Sequence, residues 1–568
     1  MILGVFWLLI ANASAFLGAQ AILDRLRTGK DSVDFLIFLL LRLALVSTAV
    51  LIGGMTGMLT PAGMGLLGVT ALAGLLAGGV HRSLPRGPWP VVTGLMGIFA
   101  AAVLLRLVLQ AWFLSPHVGD ALAYHLPKIA EWIRAGRFTR EMGIHPHVTF
   151  PAGFELVETW WVVFLRHDVL IEVAGVEFVV LAFAATRVLA ESIGLQARTA
   201  TLAALLFVTT PGLQVSATSC LNDVPAAALT LATFALVAAR APLPILLAAI
   251  GLGLGVKATT GFTLPGAALL AWLVRHEPAL RPARGQNWGW AVGAAGLTCG
   301  AFWYARNAAW FANPFYPLGE QGIENPVAVQ MGPQFASLFR NGADLFSYRI
   351  YDNRGAYGAN VEQIAGWGAT AFACGLPALL FGAGSDRRLG RLAAGFALAL
   401  AVALLFVQND PWCMKYVFFF PAVLCIAAAR WAEADRRILA LCAAATAFSF
   451  LATAVSRDLP LRDLGVLVRQ PWRARSAAGL CHAEIEGEVV GCTGGFTANS
   501  YLLYGPDFSR RVVYLRSTSA PGLMDAMKRH GLRALYGAPS SPAEGAVLEE
   551  CEQRGWLRRT AKHVYVID

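Results

Sequence analysis

The sequence predicts an all-α polytopic membrane protein of about fourteen transmembrane helices, closed by a small C-terminal α/β domain, and three observations predict it. Of 568 residues, 57% are hydrophobic and only 14% charged, against roughly 45 to 50% and about 25% in soluble globular proteins. Apolar runs of about 20 residues, each able to cross a hydrocarbon layer roughly 30 Å thick, recur from the first residue to about residue 456. Beyond that point the chain turns polar, and short β-like runs alternate with helix-like stretches.

Taken in order, the first four runs lie near 2–23, 33–54, 58–80 and 91–114. Asn12-Ala13-Ser14-Ala15 has the small residues of a signal-peptidase site, but no basic stretch precedes it, so the first run reads as a retained span. A long loop, 115–167, follows: a hydrophilic stretch, 115–151, and then a weakly apolar segment, 152–166, too short and too polar at its ends to cross. Six further runs lie near 168–190, 198–217, 223–240, 243–257, 261–275 and 288–310. After a second long loop, 311–362, the last four fall near 363–383, 391–408, 416–431 and 437–456. In the tail, 457–568, Gly487-Glu488-Val489-Val490 and Arg511-Val512-Val513-Tyr514-Leu515 read as strands, and 520–531 and 542–555 as helices. Roughly 110 residues suffice for a small domain.

Charge sets the orientation. Lys plus Arg number 45 and Asp plus Glu 35, a net charge of +10. Arg25, Arg27 and Lys30, then Arg82 and Arg86, Arg187 and Arg198, Arg275, Arg281 and Arg284, Arg387, Arg388 and Arg391, and Arg430, Arg436 and Arg437 all fall on one face when the runs are counted as above. Basic loops stay cytoplasmic, so both long loops, the turns near Asp223, Lys257 and Lys415, and the tail are expected outside. The basic surplus is thereby a topology signal, and nucleic acid is excluded as a partner. No Walker-type nucleotide loop occurs, which argues against an ATP-driven pump. Nine cysteines make no disulfide framework: Cys220, Cys299, Cys374, Cys425 and Cys442 sit in apolar runs, and only Cys481 and Cys492 in the tail could close a bridge in an oxidising compartment.

The chemistry-bearing residues cluster at the outer ends of the runs. In Gly119-Asp120-Ala121-Leu122-Ala123-Tyr124-His125-Leu126-Pro127, Pro127 suits an early helix position, and Ile129, Ala130, Trp132, Ile133 and Phe138 predict an interfacial amphipathic helix. Asp120 is then either a loop or capping aspartate or a general base that takes a proton from an attacking hydroxyl. Asn222-Asp223 opens the next outward turn; Asp223 is either ordinary helix-start chemistry or a second acid that shares an acceptor or a divalent cation with Asp120. Lys257, Arg306 and Lys415 reach the same face. Each alone could snorkel to headgroups, whereas together they suit an anion such as a phosphate or diphosphate. His145-Pro146-His147 has no matching Cys or acidic spacing for zinc. Trp160, Trp161, Trp303 and Trp310 read as an interfacial belt.

In this order, the motifs resemble those of the GT-C glycosyltransferases. They are the Gly119-Asp120 segment running into Tyr124-His125-Leu126-Pro127, Asn222-Asp223, the glycine-rich turn with Lys257, Trp303-Tyr304-Ala305-Arg306-Asn307 leading to Asn313-Pro314-Phe315-Tyr316-Pro317, and Lys415-Tyr416 before a proline-containing run. The family 39 type, which includes protein mannosyltransferases and aminoarabinose transferases of lipid A, is the most similar. The resemblance spans about 91–456, making 1–90 additional N-terminal helices and 457–568 an outer soluble domain. It implies a polyprenyl-phosphate-linked sugar donor, a protein, lipid or polysaccharide hydroxyl acceptor, inversion at the anomeric carbon, and a bacterial inner membrane. By motif, Asp120 and Asp223 take the catalytic positions, with a divalent cation possible between them and no other cofactor implied. Tyr124, His125, Asn222, Lys257, Arg306, Lys415 and Tyr416 take substrate-binding ones. Three departures stand out: three runs precede the usual first, Ala121 replaces a frequent second acid, and Lys415 stands where Arg is common, giving up bidentate phosphate binding. The competing expectations are a glycan polymerase or ligase of the same architecture and a lipid or polysaccharide transporter or flippase.

Overall fold

A computed structural model describes residues 2–78, 94–140, 142–143, 145–280, 286–318, 334–336, 366–407, 415–454, 469, 476–478, 485, 487–494, 498–539 and 541–567. Helices occupy the apolar runs. The first part comprises α1 (Ile2–Leu26), α2 (Asp31–Thr56), α3 (Pro61–Ala77), α4 (Gly94–Phe113), α5 (Leu126–Ala135), α6 (Gly153–Val163), α7 (Val173–Ser192), α8 (Ala197–Val208) and α9 (Pro211–Ser216). Next come α10 (Asp223–Ala238), α11 (Leu243–Val256), α12 (Leu264–Leu273), α13 (Gln286–Phe311), α14 (Leu376–Gly382), α15 (Arg387–Phe406), α16 (Pro421–Ala434) and α17 (Arg436–Ala454). Among the described residues, five segments are long and apolar enough to cross a bilayer unaided: Ile2–Leu26, Asp31–Thr56, Gly94–Phe113, Asp168–Ser192 and Arg387–Phe406. Of the shorter apolar helices, α10 is buried almost throughout by its neighbours and α11 along one side.

Small residues set the closest approach in the bundle. A Cβ at Gly251 of α11 would lie 2.5 Å from the carbonyl oxygen of Gly296 on α13, and one at Gly255 would lie 2.9 Å from Cα of Gly300. The four-residue spacing on both helices puts these glycines on one stripe, where backbones meet without side chains between them. Gly251→Val is therefore expected to force α11 and α13 apart at a cost of about 1–3 kcal/mol, read as a lower thermal midpoint in detergent. Gly74→Ala, with open space around its position, should leave that midpoint unchanged; equal midpoints for both variants would refute the close packing.

The tail folds as expected for a small α/β unit. Its five-stranded sheet has the order β2-β1-β3-β5-β4, from β1 (Val489–Thr493), β2 (Arg511–Tyr514), β3 (Ala534–Gly537), β4 (Arg558–Ala561) and β5 (Val564–Val566). β1 pairs in parallel with β2 and β3, which requires the crossover helix α18 (Ala520–Arg529), and α19 (Pro542–Gln553) follows β3. Cys492 is buried in β1, between β2 and β3, while Cys481, and with it the expected bridge, lies outside the described residues.

This unit is locked to the helical part through one acid. Asp168, just before α7, accepts hydrogen bonds on Oδ2 from the backbone N–H of Ala477 (3.0 Å) and Ala478 (3.3 Å) and from the Tyr501 hydroxyl (3.2 Å). Arg166 adds a bond from Nε to the Asp507 carbonyl (3.2 Å). A short 3₁₀ helix, Ser500–Leu503, thereby packs on α5 and on the turn that precedes it.

Candidate active site

The first long loop forms its helix in two steps. Pro127 has no N–H to give and its ring crowds the carbonyl four residues earlier, so the chain widens into a π turn, Ala121–His125, closed by Leu126 N–H to the Ala121 carbonyl. Thr370–Gly375 before Pro377 repeats the device. The expected amphipathic helix is α5, but residues 126–133 are all buried, because α6 on one side and Ser500–Leu503 on another enclose it. It is a core helix of the loop and does not lie on an open interface. Trp303 is likewise no belt residue: it is buried and stacks on Trp132 at 5.9 Å.

Asp120 starts this π turn and receives a hydrogen bond from the Tyr124 hydroxyl. Burial, with Asp120 beside it, raises the tyrosine well above its ordinary value, so the phenol keeps its proton and remains a donor. The Tyr124 ring is held by His125, His145 and His147, with centroids 4.5, 4.9 and 5.2 Å away. His145 and His147 thus form a wall behind Tyr124. Burial pushes His145 down to about 2, which keeps its imidazole uncharged. Among the described residues, no group of three His, Cys, Asp or Glu side chains is arranged to hold a metal ion.

Four charges from four separate elements alternate in sign. Lys415 Nζ lies 3.6 Å from Asp120 Oδ2 and 3.8 Å from Asp223 Oδ2, and Lys257 Nζ lies 2.5 Å from Asp223 Oδ1. Lys257 also sits over the Tyr416 ring, 3.8 Å from its centroid. Local structure explains the convergence. Asp223 opens α10 after Cys220, whose φ of 56° turns the chain sharply into Asn222. Lys257 ends α11 in extended backbone, and Asn222 Nδ2 donates to the Val256 carbonyl (3.1 Å), tying the two turns together. Asn222 is thus engaged in positioning Lys257. The acids differ in access: the Asp223 side chain is 2% exposed and clasped by both lysines, whereas Asp120 is 30% exposed. Two ammonium groups already compensate the two carboxylates, so the donor set does not fit a divalent cation between them.

A second cluster lies beside the first. Glu155 of α6 accepts on Oε1 from Lys128 Nζ (2.6 Å) and His125 Nδ1 (2.8 Å). Burial opposes its ionisation, but Lys128 and the bond from His125 hold the carboxyl down at about 2. Burial lowers His125, so its imidazole is neutral; with Nδ1–H given to Glu155, Nε2 is left as an acceptor. Arg306 belongs to this neighbourhood. It donates to the carbonyl of Thr149 and to Asn307 Oδ1 (Nε, 3.1 Å), lies between Trp303 and Trp310, and keeps Nη1 buried without a hydrogen-bond partner among the described residues. The structure therefore gathers Asp120, Tyr124, Asp223, Lys257, Lys415 and Tyr416, with His125 linking them to Glu155, and sets Arg306 among the groups around Thr149.

Lys128 and Glu155 were not singled out from the sequence. The available signal was a lone charge within each of the apolar stretches Leu126-Pro127-Lys128-Ile129-Ala130 and Gly153-Phe154-Glu155-Leu156-Val157, which a solvent-facing helix would not space that way.

No protein-family model matches the chain, and no curated protein matches it by sequence. Solved structures do resemble it. ArnT from Cupriavidus metallidurans bound to undecaprenyl phosphate superposes with a TM-score of 0.51 at 12% identity, covering 84% of this chain and 98% of that one. The apo state of the same protein gives 0.49 at 15% identity, covering 83% and 97%. The likeness to the first is one of fold: the chain shares a polytopic helical architecture with it, as its apolar runs predict.

Proposed function

We propose that this protein is a membrane glycosyltransferase that moves a sugar from a polyprenyl-phosphate donor to a hydroxyl acceptor, with inversion, at the cluster built on Asp120 and Asp223. The observation that carries this reading is the alternation Asp120, Lys415, Asp223, Lys257, with a half-exposed carboxylate at one end and ammonium groups beyond it. The undecaprenyl phosphate bound in the structurally similar protein supports a donor of that class. The arginine-rich loops, read as cytoplasmic, support an extracytoplasmic position for the cluster.

The acceptor hydroxyl approaches Asp120, which takes its proton while Tyr124 steadies the second carboxylate oxygen. The acceptor oxygen bonds to the anomeric carbon as the bond from that carbon to the phosphate oxygen breaks, and polyprenyl phosphate departs. Lys415 and Lys257 meet the charge that develops on the leaving phosphate. Their pairing with Asp223 keeps them in place before the reaction, so little reorganisation is needed in a poorly hydrated site.

The acceptor is a hydroxyl of a protein, lipid or polysaccharide. The test is full-length protein in proteoliposomes with a radiolabelled polyprenyl-phosphate sugar. Free polyprenyl phosphate should accumulate only when a hydroxyl acceptor is supplied, with label on the acceptor. Movement of intact labelled lipid between leaflets without its cleavage would overturn transfer in favour of a flippase.

A further inference from the structure

At the other end of the bundle lies a cavity that the transfer reaction does not use. α10 runs about 24 Å at its 16 residues from Asp223 to the end where Arg240 donates to the carbonyls of Arg275 and Glu277. On that face, α14, α15, α16 and the turn at Gly194 surround a space of about 710 Å³, within the range of small-ligand sites, roughly 300–1,000 Å³. Arg387, Arg388 and Arg430 line it, together with Phe381 and Trp431.

We infer that this cavity binds the headgroup of an anionic glycerophospholipid, its phosphate between the arginines and its acyl chains running out past Phe381. Topology alone explains basic residues on this face but not why they surround a cavity. Gly194 has φ +95°, and a Cβ there would stand 3.0 Å from Nη1 of Arg388, so the turn leaves room for that guanidinium. Arg430 is aimed by two carboxylates, Asp386 Oδ2 at 3.1 Å and Glu433 Oε2 at 3.0 Å. Arg387 and Arg388 form no ion pair among the described residues, so the cavity keeps a net positive charge after Asp386, which caps α15 and also lines it, is counted. The apolar lip favours a lipid over a soluble anion: Phe381, which lines the cavity, is 77% exposed and its neighbour Leu380 69%, and the exposed Trp431 lines the cavity as well.

The test is native mass spectrometry of delipidated full-length protein titrated with phosphatidylglycerol and, separately, phosphatidylcholine. Phosphatidylglycerol should bind at least tenfold more tightly. Arg387→Gln/Arg388→Gln should erase the preference, and Arg436→Gln/Arg437→Gln, on exposed arginines of the same face that do not line the cavity, should retain it. Equal losses in both double variants would reduce the effect to general surface charge and overturn the site. Displacement of the lipid by soluble glycerol phosphate at equal concentration would overturn the lipid assignment, as would the absence of any preference. Arg387→Gln alone, which removes no ion pair, carries the test should the double variant not fold.

Discussion

Asp120→Asn is expected to leave the protein folded and to lower the rate of sugar transfer by about 10²–10⁴-fold, the usual contribution of a positioned general base. The variant keeps an oxygen for the Tyr124 hydroxyl, and the contact it weakens, to Lys415 at 3.6 Å, is long and partly exposed, so little stability should be lost. The loss should fall on kcat, with KM for the lipid donor nearly unchanged, because in the proposed mechanism the leaving phosphate meets the lysines and not Asp120. Initial rates of polyprenyl phosphate release across donor concentrations provide the measurement, and wild-type turnover in the variant would remove Asp120 from the mechanism. Asp223→Asn makes the informative contrast. That residue is buried between Lys257 and Lys415, so both activity and thermal midpoint should fall.

The largest effect on stability is expected from Glu155→Ala, at about 3–5 kcal/mol, since removal of one member of a buried pair strands the other. Lys128 would remain fully buried without its counter-ion, and His125 would lose the acceptor that fixes its tautomer. Replacing both partners, as in Glu155→Leu/Lys128→Met, should recover most of the loss. A thermal midpoint for Glu155→Ala equal to that of the wild type would show that the pair contributes nothing. The pH dependence has a definite sign. The folded-state value of Glu155, about 2, lies below the ordinary 4.5, so its stabilisation is complete above about pH 4.5 and disappears as the pH falls toward 2. Glu155→Gln should remove that acid-labile component, visible in the difference between the two midpoint profiles.

Much of the fold was legible because a bilayer constrains a chain so strongly. The apolar runs, their basic flanks and the strand runs at Val489 and Arg511 all follow from composition and period, and the observed helices and sheet fall on them. Counting crossings also assigned Asp120, Asp223, Lys257 and Lys415 to one face, and the structure has them within ion-pair distances. What the sequence hid was tertiary. Lys128 and Glu155 stand 27 positions apart, and nothing local distinguishes a helix enclosed by α6 and Ser500–Leu503 from one lying on lipid. The role of Asn222 was hidden for the same reason, since its amide serves a carbonyl 34 residues later.

The lock at Asp168 has a consequence for biogenesis. Its donors, Ala477, Ala478 and Tyr501, lie 309, 310 and 333 positions downstream. At the usual pace of synthesis, about 5–20 residues per second, Asp168 waits roughly 15 to 70 s between its own emergence from the ribosome and that of Tyr501. During that interval the Ser500–Leu503 segment does not yet brace the Asp120 turn. A nascent chain therefore carries its acids before it carries their support, and the braced arrangement of the cluster arrives as a late event of assembly.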